Sequence, residues 1–150
     1  MEDVRIRQAR ESEQKSLEAL QWRASLGNPG DREALLANPD AIELPIEQIR
    51  NGQVFVAEEE GSVLGFAAIL PREDGDVELD GLFVEPDLWR RGVGRKLVER
   101  CAEEARSLGA GALHVIGHPN AEGFYKSCGF VLMGTTQTRF GPALLLRRLL

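Results

Sequence analysis

The stretch that most constrains this chain runs from Asp76 to Leu108, DVELDGLFVEPDLWRRGVGRKLVERCAEEARSL. It reads as a strand ending at Val84-Glu85-Pro86, a short loop, the turn Arg90-Arg91-Gly92-Val93-Gly94-Arg95-Lys96 and a long amphipathic helix. Glycines let a backbone come close to a ligand. A helix that starts there also exposes unpaired N–H groups at the positive end of its dipole. Arg90, Arg91, Arg95 and Lys96 crowd positive side chains into the same few residues. The combination predicts a phosphate cradle. Taken alone, the turn also reads as an Arg/Gly-rich start to a solvated helix.

What the turn lacks narrows the kind of cradle. A Walker-type loop places Ser or Thr after its lysine, whereas Lys96 is followed by Leu97. The dinucleotide fingerprint G-x-G-x-x-G, counted from Gly92, meets Leu97 at its last glycine and belongs to the first strand of a βαβ unit, not past mid-chain.

The 150 residues fit one domain over 1–150, with a hydrophobic fraction of 43% and a charged fraction of 28% typical of soluble globular proteins. No apolar run reaches a membrane span and MEDVRIRQAR lacks a signal peptide's apolar region, so a cytoplasmic protein with no membrane partner is expected. The net charge of −6 argues against nucleic acid as a partner and mildly favours a cationic or amine substrate. Cys101 falls on an apolar helix face and reads as a buried free thiol, while Cys128 is left open between a structural and a reactive thiol. These cysteines with His114 and His118 make no zinc-ligand spacing, so no metal is expected.

In chain order, Val4-Arg5-Ile6-Arg7 alternates as a short strand does, and Ser12 is the expected N-cap of a helix to Leu26, with Leu17, Leu20 and Ala24 at helical spacing. Gly27-Asn28-Pro29-Gly30 ends that helix. Asp31 is the expected cap of a second short helix stopped by Asn38-Pro39, and Pro45 opens a third that ends at Asn51-Gly52. A hairpin follows, 53–58 and 62–70 around Glu59-Glu60-Gly61, and then the strand 76–84. Val93, Leu97, Cys101, Ala105 and Leu108 form one stripe of the next helix, capped by Gly109. Ala112–Ile116 completes a strand–helix–strand crossover. Asn120 is expected to cap a short helix ending at Gly129, followed by strands at 131–138 and 143–149. The layout is α+β: a mixed, mostly antiparallel sheet of about seven strands with helices on both faces.

The turn resembles the acyl-CoA signature [Q/R]-x-x-G-x-[G/A] of the GNAT superfamily of N-acyltransferases, preceded as there by an apolar triplet, Leu82-Phe83-Val84. Trp89 stands where that signature has Gln or Arg. NAEGFYKSCGF is similar to the second signature, N-x-x-A-x-x-[F/Y]-Y-x-x-x-G-F, through Asn120, Tyr125, Gly129 and Phe130, with Gly123 in place of Ala. The resemblance covers essentially the full chain.

The resemblance implies an N-acetyltransferase that moves an acetyl group from acetyl-CoA directly to a primary amine of a small molecule, peptide or protein. By analogy acetyl-CoA lies between two parallel strands that splay apart. The backbone of Leu82, Phe83 and Val84 then pairs with the pantetheine arm, and the cradle Arg90, Arg91, Gly92, Val93, Gly94, Arg95 and Lys96 receives the pyrophosphate. Asn120 contacts the pantetheine and Tyr125 places its hydroxyl near the thioester sulfur; without the resemblance Tyr125 reads equally as a core tyrosine. A homodimer is implied by analogy alone.

A protonated alkylamine costs about 4.6 kcal/mol to deprotonate at neutral pH, so a base is expected. Period-two alternation puts Glu78 and Asp80 on the side of Leu82, and Glu78 lies where several relatives carry a base. Glu78 is the first candidate and Asp80 the second, against a solvated or ion-paired strand carboxylate. Trp22, Arg23, Phe140 and the segment 27–45 are expected to shape the acceptor site. The alternative function is a non-catalytic acyl-CoA-binding sensor of the same fold.

Overall fold

The computed structural model describes residues 3–27, 32–38, 40 and 42–150. Its framework is a seven-stranded sheet in the order β1-β2-β3-β4-β5-β7-β6. The strands are β1 (Arg5–Gln8), β2 (Val54–Glu59), β3 (Ser62–Pro71), β4 (Val77–Val84), β5 (Ala112–Gly117), β6 (Val131–Thr138) and β7 (Gly141–Leu149). Neighbours are antiparallel except β4 and β5, which are parallel and joined by the crossover helix α4 (Val93–Ser107). The expected α+β sheet with one parallel crossover is therefore the observed one.

Helices α1 (Gln14–Leu26), α2 (Arg32–Ala37) and α3 (Ile46–Arg50) precede the hairpin, and α5 (Glu122–Ser127) follows β5. Two cores result, one on each face of the sheet. Leu17 and Leu20 of α1 and Ile49 of α3 pack with Val54, Val56, Phe66 and Ala68 on one face. On the other, Val93, Leu97, Cys101 and Ala105 of α4 meet Phe55, Ile69, Leu79, Leu113 and Leu146, joined by Tyr125 and Phe130. The α4 stripe read from the sequence is this second core, except that Leu108 is 56% exposed at the frayed end.

Local chemistry explains most boundaries. Glu60 and Gly61 at φ 50° and 83° make the left-handed two-residue turn that suits a hairpin's twist, and Gly109 at φ 83° follows the end of α4. Ser12 is not the cap of α1. Glu13 ends a 3-10 turn (Glu11–Glu13) and occupies the N-cap position, because its carboxylate accepts from the Arg10 N–H at 2.8 Å and from both terminal nitrogens of Arg7 at 2.9 and 2.8 Å. Nor does Asn120 cap α5. It sits inside a 3-10 turn (Pro119–Ala121) whose cap is His118, with the ring Nδ1 accepting from the Asn120 N–H at 3.0 Å. The β6–β7 connection shortens to Arg139 and Phe140, because Gly141 at φ 113° already starts the strand. Asn28, Pro29, Gly30, Asp31 and Pro39, expected as helix punctuation, lie outside the described residues.

Among the described residues no helix is long and apolar enough to cross a membrane. The connection into α3 is fixed from α1: Gln14 Nε2 donates to the Leu44 carbonyl at 2.7 Å, and the Leu44 N–H donates to Glu18 at 2.9 Å. On the other face Arg148 of β7 bridges Glu99 of α4 at 2.7 Å and the Cys128 carbonyl at 3.1 Å.

The Arg7 guanidinium holds the Glu13 carboxyl below the usual carboxylate range. A depressed folded-state value contributes stability that is fully present above the ordinary carboxyl range and is lost as pH falls through the folded value. Glu13→Gln is expected to cost about 1–2 kcal/mol in urea unfolding at pH 7, and the deficit narrows toward pH 3. A deficit that stays constant with pH contradicts this account.

Candidate functional site

The parallel pairing of β4 and β5 is short: Val77, Glu78 and Leu79 meet Leu113, His114 and Val115. Beyond that point β5 continues only with β7, through Ile116 and Gly117, and β4 continues only with β3 up to Val84. The strands fork, so the edge of β4 over 80–84 faces a gap with no strand beside it. The expected splay is present.

A bulge helps open the fork. Between Ala68 and Ile69 the β3–β4 register jumps from Gly81 to Leu79, leaving Asp80 as the extra residue. It also overturns the expected alternation. Leu82 packs with Val77 and Leu79 toward α4, whereas Glu78, lying between Val77 and Leu79 on the strand, faces the opposite side of the sheet. Asp80 is exposed and accepts a long hydrogen bond of 3.4 Å from Gln48 of α3. Phe83 joins the α1 core and packs against Phe66 with ring centroids 5.4 Å apart and the planes tilted by 40°.

The open end of the fork meets the N-terminus of α4. Gly92 at φ 86° is the N-cap, with no side chain capping the helix. Gly94 has a packing reason as well, since a Cβ there would lie 3.1 Å from the Phe124 ring. Arg90, Arg91, Arg95 and Lys96 are all exposed. Arg95 is already engaged, donating to the Ser127 carbonyl at 2.9 Å and hydroxyl at 3.1 Å. Trp89 spends its indole N–H on the Val84 carbonyl at 2.8 Å and rests on Gly27, so that carbonyl is not free on the fork edge.

Tyr125 sits at the fork from the α4 side. Its ring fills the space a Cβ on Gly117 would take, at 2.9 Å, and packs edge-on to Phe124 and Phe130. Burial pushes the phenol above its usual range, so it stays protonated. Its hydroxyl has no hydrogen-bond partner among the described residues. Burial likewise pushes Cys101 up to about 12, as befits a structural thiol. Cys128, left open from the sequence, is buried beside Tyr125 and is also pushed up, which disfavours a reactive thiolate. Asn120 is exposed.

On the face opposite α4, the C-terminal half of the sheet carries a cavity of about 310 Å³ lined by Arg72, Glu78, His114, Ile116, Met133 and Arg147 among others. Glu78, His114 and Arg147 lie in one row across β4, β5 and β7. Ile116 and Met133 are about half exposed, at 50% and 52%. Asp76 lies beside this wall, with one carboxylate oxygen 2.8 Å from His114 Nε2 and the other accepting from the N–H groups of Gly111 and Ala112 at 3.1 and 3.2 Å. Asp74 joins this cluster but accepts from the Asp76 N–H and pairs with Arg72. Neither Asp76 nor His114 was singled out as a site residue from the sequence. They are 38 positions apart, and only the parallel register brings them together. Of the residues expected to shape the acceptor site, Arg23 is bound to Glu85 at 3.0 Å and Phe140 lies under Arg139.

The loop before α4 is strained at Arg90, whose φ of 70° is rare for a residue with a Cβ. Arg90→Gly is expected to raise stability by about 1 kcal/mol. Gly92→Ala is expected to lower it by a similar amount, although nothing lies within 4 Å of the added Cβ. Thermal melts of the two variants check the opposite signs; shifts in the same direction contradict the account.

The description "Acetyltransferase (GNAT) family" matches residues 15–130. The peptidyl-lysine N-acetyltransferase YjaB of Salmonella typhimurium is 27% identical over 137 residues, covering 89% of this chain and 88% of the relative. The PaiA N-acetyltransferase of Thermoplasma acidophilum, solved with coenzyme A, shares the fold at a TM-score of 0.80 and 15% identity, over 98% of this chain and 99% of its own. A ribosomal-protein-alanine N-acetyltransferase of Brucella melitensis superposes at 0.72 with 26% identity, over 97% and 99%. With the forked sheet and the uncapped helix start beside it, the chain belongs to the GNAT family of acetyltransferases.

Proposed function

We propose that this protein transfers the acetyl group of acetyl-CoA directly to a primary amine of a small molecule, peptide or protein. The observation that carries the reading is the fork: a strand edge without a partner runs from the end of the β4–β5 pairing toward the uncapped start of α4. Backbone groups of Leu82, with the N–H of Val84, pair with the pantetheine arm, while those of Phe83 alternate toward β3. The helix-start amides from Gly92 to Gly94, with Arg90, Arg91 and Lys96, receive the pyrophosphate. Arg95, committed to Ser127, holds α5 against α4 and contributes chiefly its backbone N–H. Asn120, exposed in the turn before α5, contacts the arm.

The amine approaches from the opposite face, through the cavity that holds Glu78. Glu78 receives the ammonium by charge. Asp80, the second carboxylate of the strand, is drawn toward Gln48 and is not on the cavity wall. Attack on the carbonyl carbon forms the C–N bond and breaks the C–S bond. The departing thiolate takes a hydrogen bond from Tyr125, whose buried phenol stays protonated. No metal and no covalent enzyme intermediate enter this scheme.

Calorimetric titration with acetyl-CoA, then thiol release against alkylamines, amino acids, and peptides with free N-termini or lysines, tests the reading. Acceptor-dependent thiol release supports the transferase; binding without release across the panel supports a sensor instead. Tyr125→Phe is expected to lower kcat on the order of 100-fold while acetyl-CoA binding changes little. A kcat within threefold of the parent would remove Tyr125 from the mechanism.

A further inference from the structure

We infer that His114, held by Asp76, is the base that takes the acceptor ammonium's proton. The inference rests on the transferase reading above and deepens it. Leu79 and Val115, the last paired residues of β4 and β5, both point into the α4 core. On the opposite face the last facing pair before the fork is therefore Glu78 and His114. Both line the same cavity, one row below the point where the strands part.

Asp76 fixes the chemical state of the ring. One of its oxygens accepts from the N–H groups of Gly111 and Ala112, which anchors the carboxylate to the start of β5. The other lies 2.8 Å from His114 Nε2. The imidazole holds the Asp76 carboxyl below the usual carboxylate range, so the carboxylate is an acceptor and Nε2 must carry the hydrogen. In the neutral ring Nδ1 then keeps its lone pair. The other charged groups around the ring are Glu78 on β4, Arg72 and Asp74 at the β3–β4 turn, and Arg147 on β7.

Glu78 and His114 then divide two tasks. A carboxylate is a strong counter-charge for an ammonium, while a neutral imidazole with an open lone pair is the better proton acceptor of the two. The ammonium gives one proton to Nδ1, and Asp76 stabilises the resulting imidazolium. The neutral amine attacks the thioester carbon, its second proton passes to the departing thiolate, and the imidazolium releases its proton to water. The products are the amide and free coenzyme A, with one proton released.

The test uses the full chain, acetyl-CoA and the amine panel above. His114→Gln should lower kcat at pH 7 by about 100-fold or more, with the acceptor KM and acetyl-CoA Kd little changed, and should abolish the acid limb of the pH–kcat profile. Exogenous imidazole should restore part of the kcat of His114→Ala. Glu78→Gln should instead raise the acceptor KM and keep the acid limb. Asp76→Asn should lower kcat without raising that KM. Thiol release by the parent together with a His114→Gln kcat within threefold and an intact acid limb overturns the His114 assignment alone. A parent that binds acetyl-CoA but releases no thiol overturns the transferase reading and this assignment with it.

Discussion

The structure depends on where the β4–β5 ladder stops. A strand edge carries N–H and C=O groups that need partners, yet β4 loses its parallel neighbour after Leu79. Three local features hold the gap open: the Asp80 bulge bends β4, Tyr125 fills the space over Gly117 at the end of β5, and Trp89 ties the loop back to Val84. Each is a short-range packing or hydrogen-bonding event. Together they leave a slot bordered by a strand edge without a strand beside it.

The two faces of the sheet divide the labour around that slot. Toward α4 the sheet is closed by apolar side chains, and Tyr125 is buried among them with its hydroxyl protonated. Away from α4, helix α1 covers Phe66 and Phe83 but not β5, β7 and β6, so Glu78, His114 and Arg147 line an open wall. The cations of the helix start lie at the open end of the fork, whereas the wall below its base sets Glu78 and His114 beside Arg72 and Arg147.

Much of this was legible in the sequence because the signals were local and periodic. The α4 stripe, the Glu60-Gly61 hairpin turn, the crossover and the glycine turn all rest on spacing that one segment carries by itself. The misses share a different origin. Ser12 lost the cap to Glu13 because Arg7, from another element, fixed the Glu13 carboxylate. The alternation from Glu78 to Leu82 failed because one bulged residue inverts every side chain beyond it. The contact of Arg95 with Ser127 was equally invisible, because only the fold brings the two within reach. Strand register, not residue type, was the missing quantity in each sheet-level case.

Asp76 shows why register matters for chemistry as well as for fold. Its carboxylate joins the start of β5 to the start of β4, and the same anchoring fixes the tautomer of His114 one strand away. A side chain that served only the ladder would need only one of its oxygens for Gly111 and Ala112. The second oxygen is spent on a ring at the edge of the cavity, where a fixed lone pair has a use. The contact that sets the spacing of the parallel strands below the fork therefore also sets which ring nitrogen of the neutral imidazole beside it carries the hydrogen, so the geometry of the slot and the orientation of a polar group on its wall are coupled through one residue.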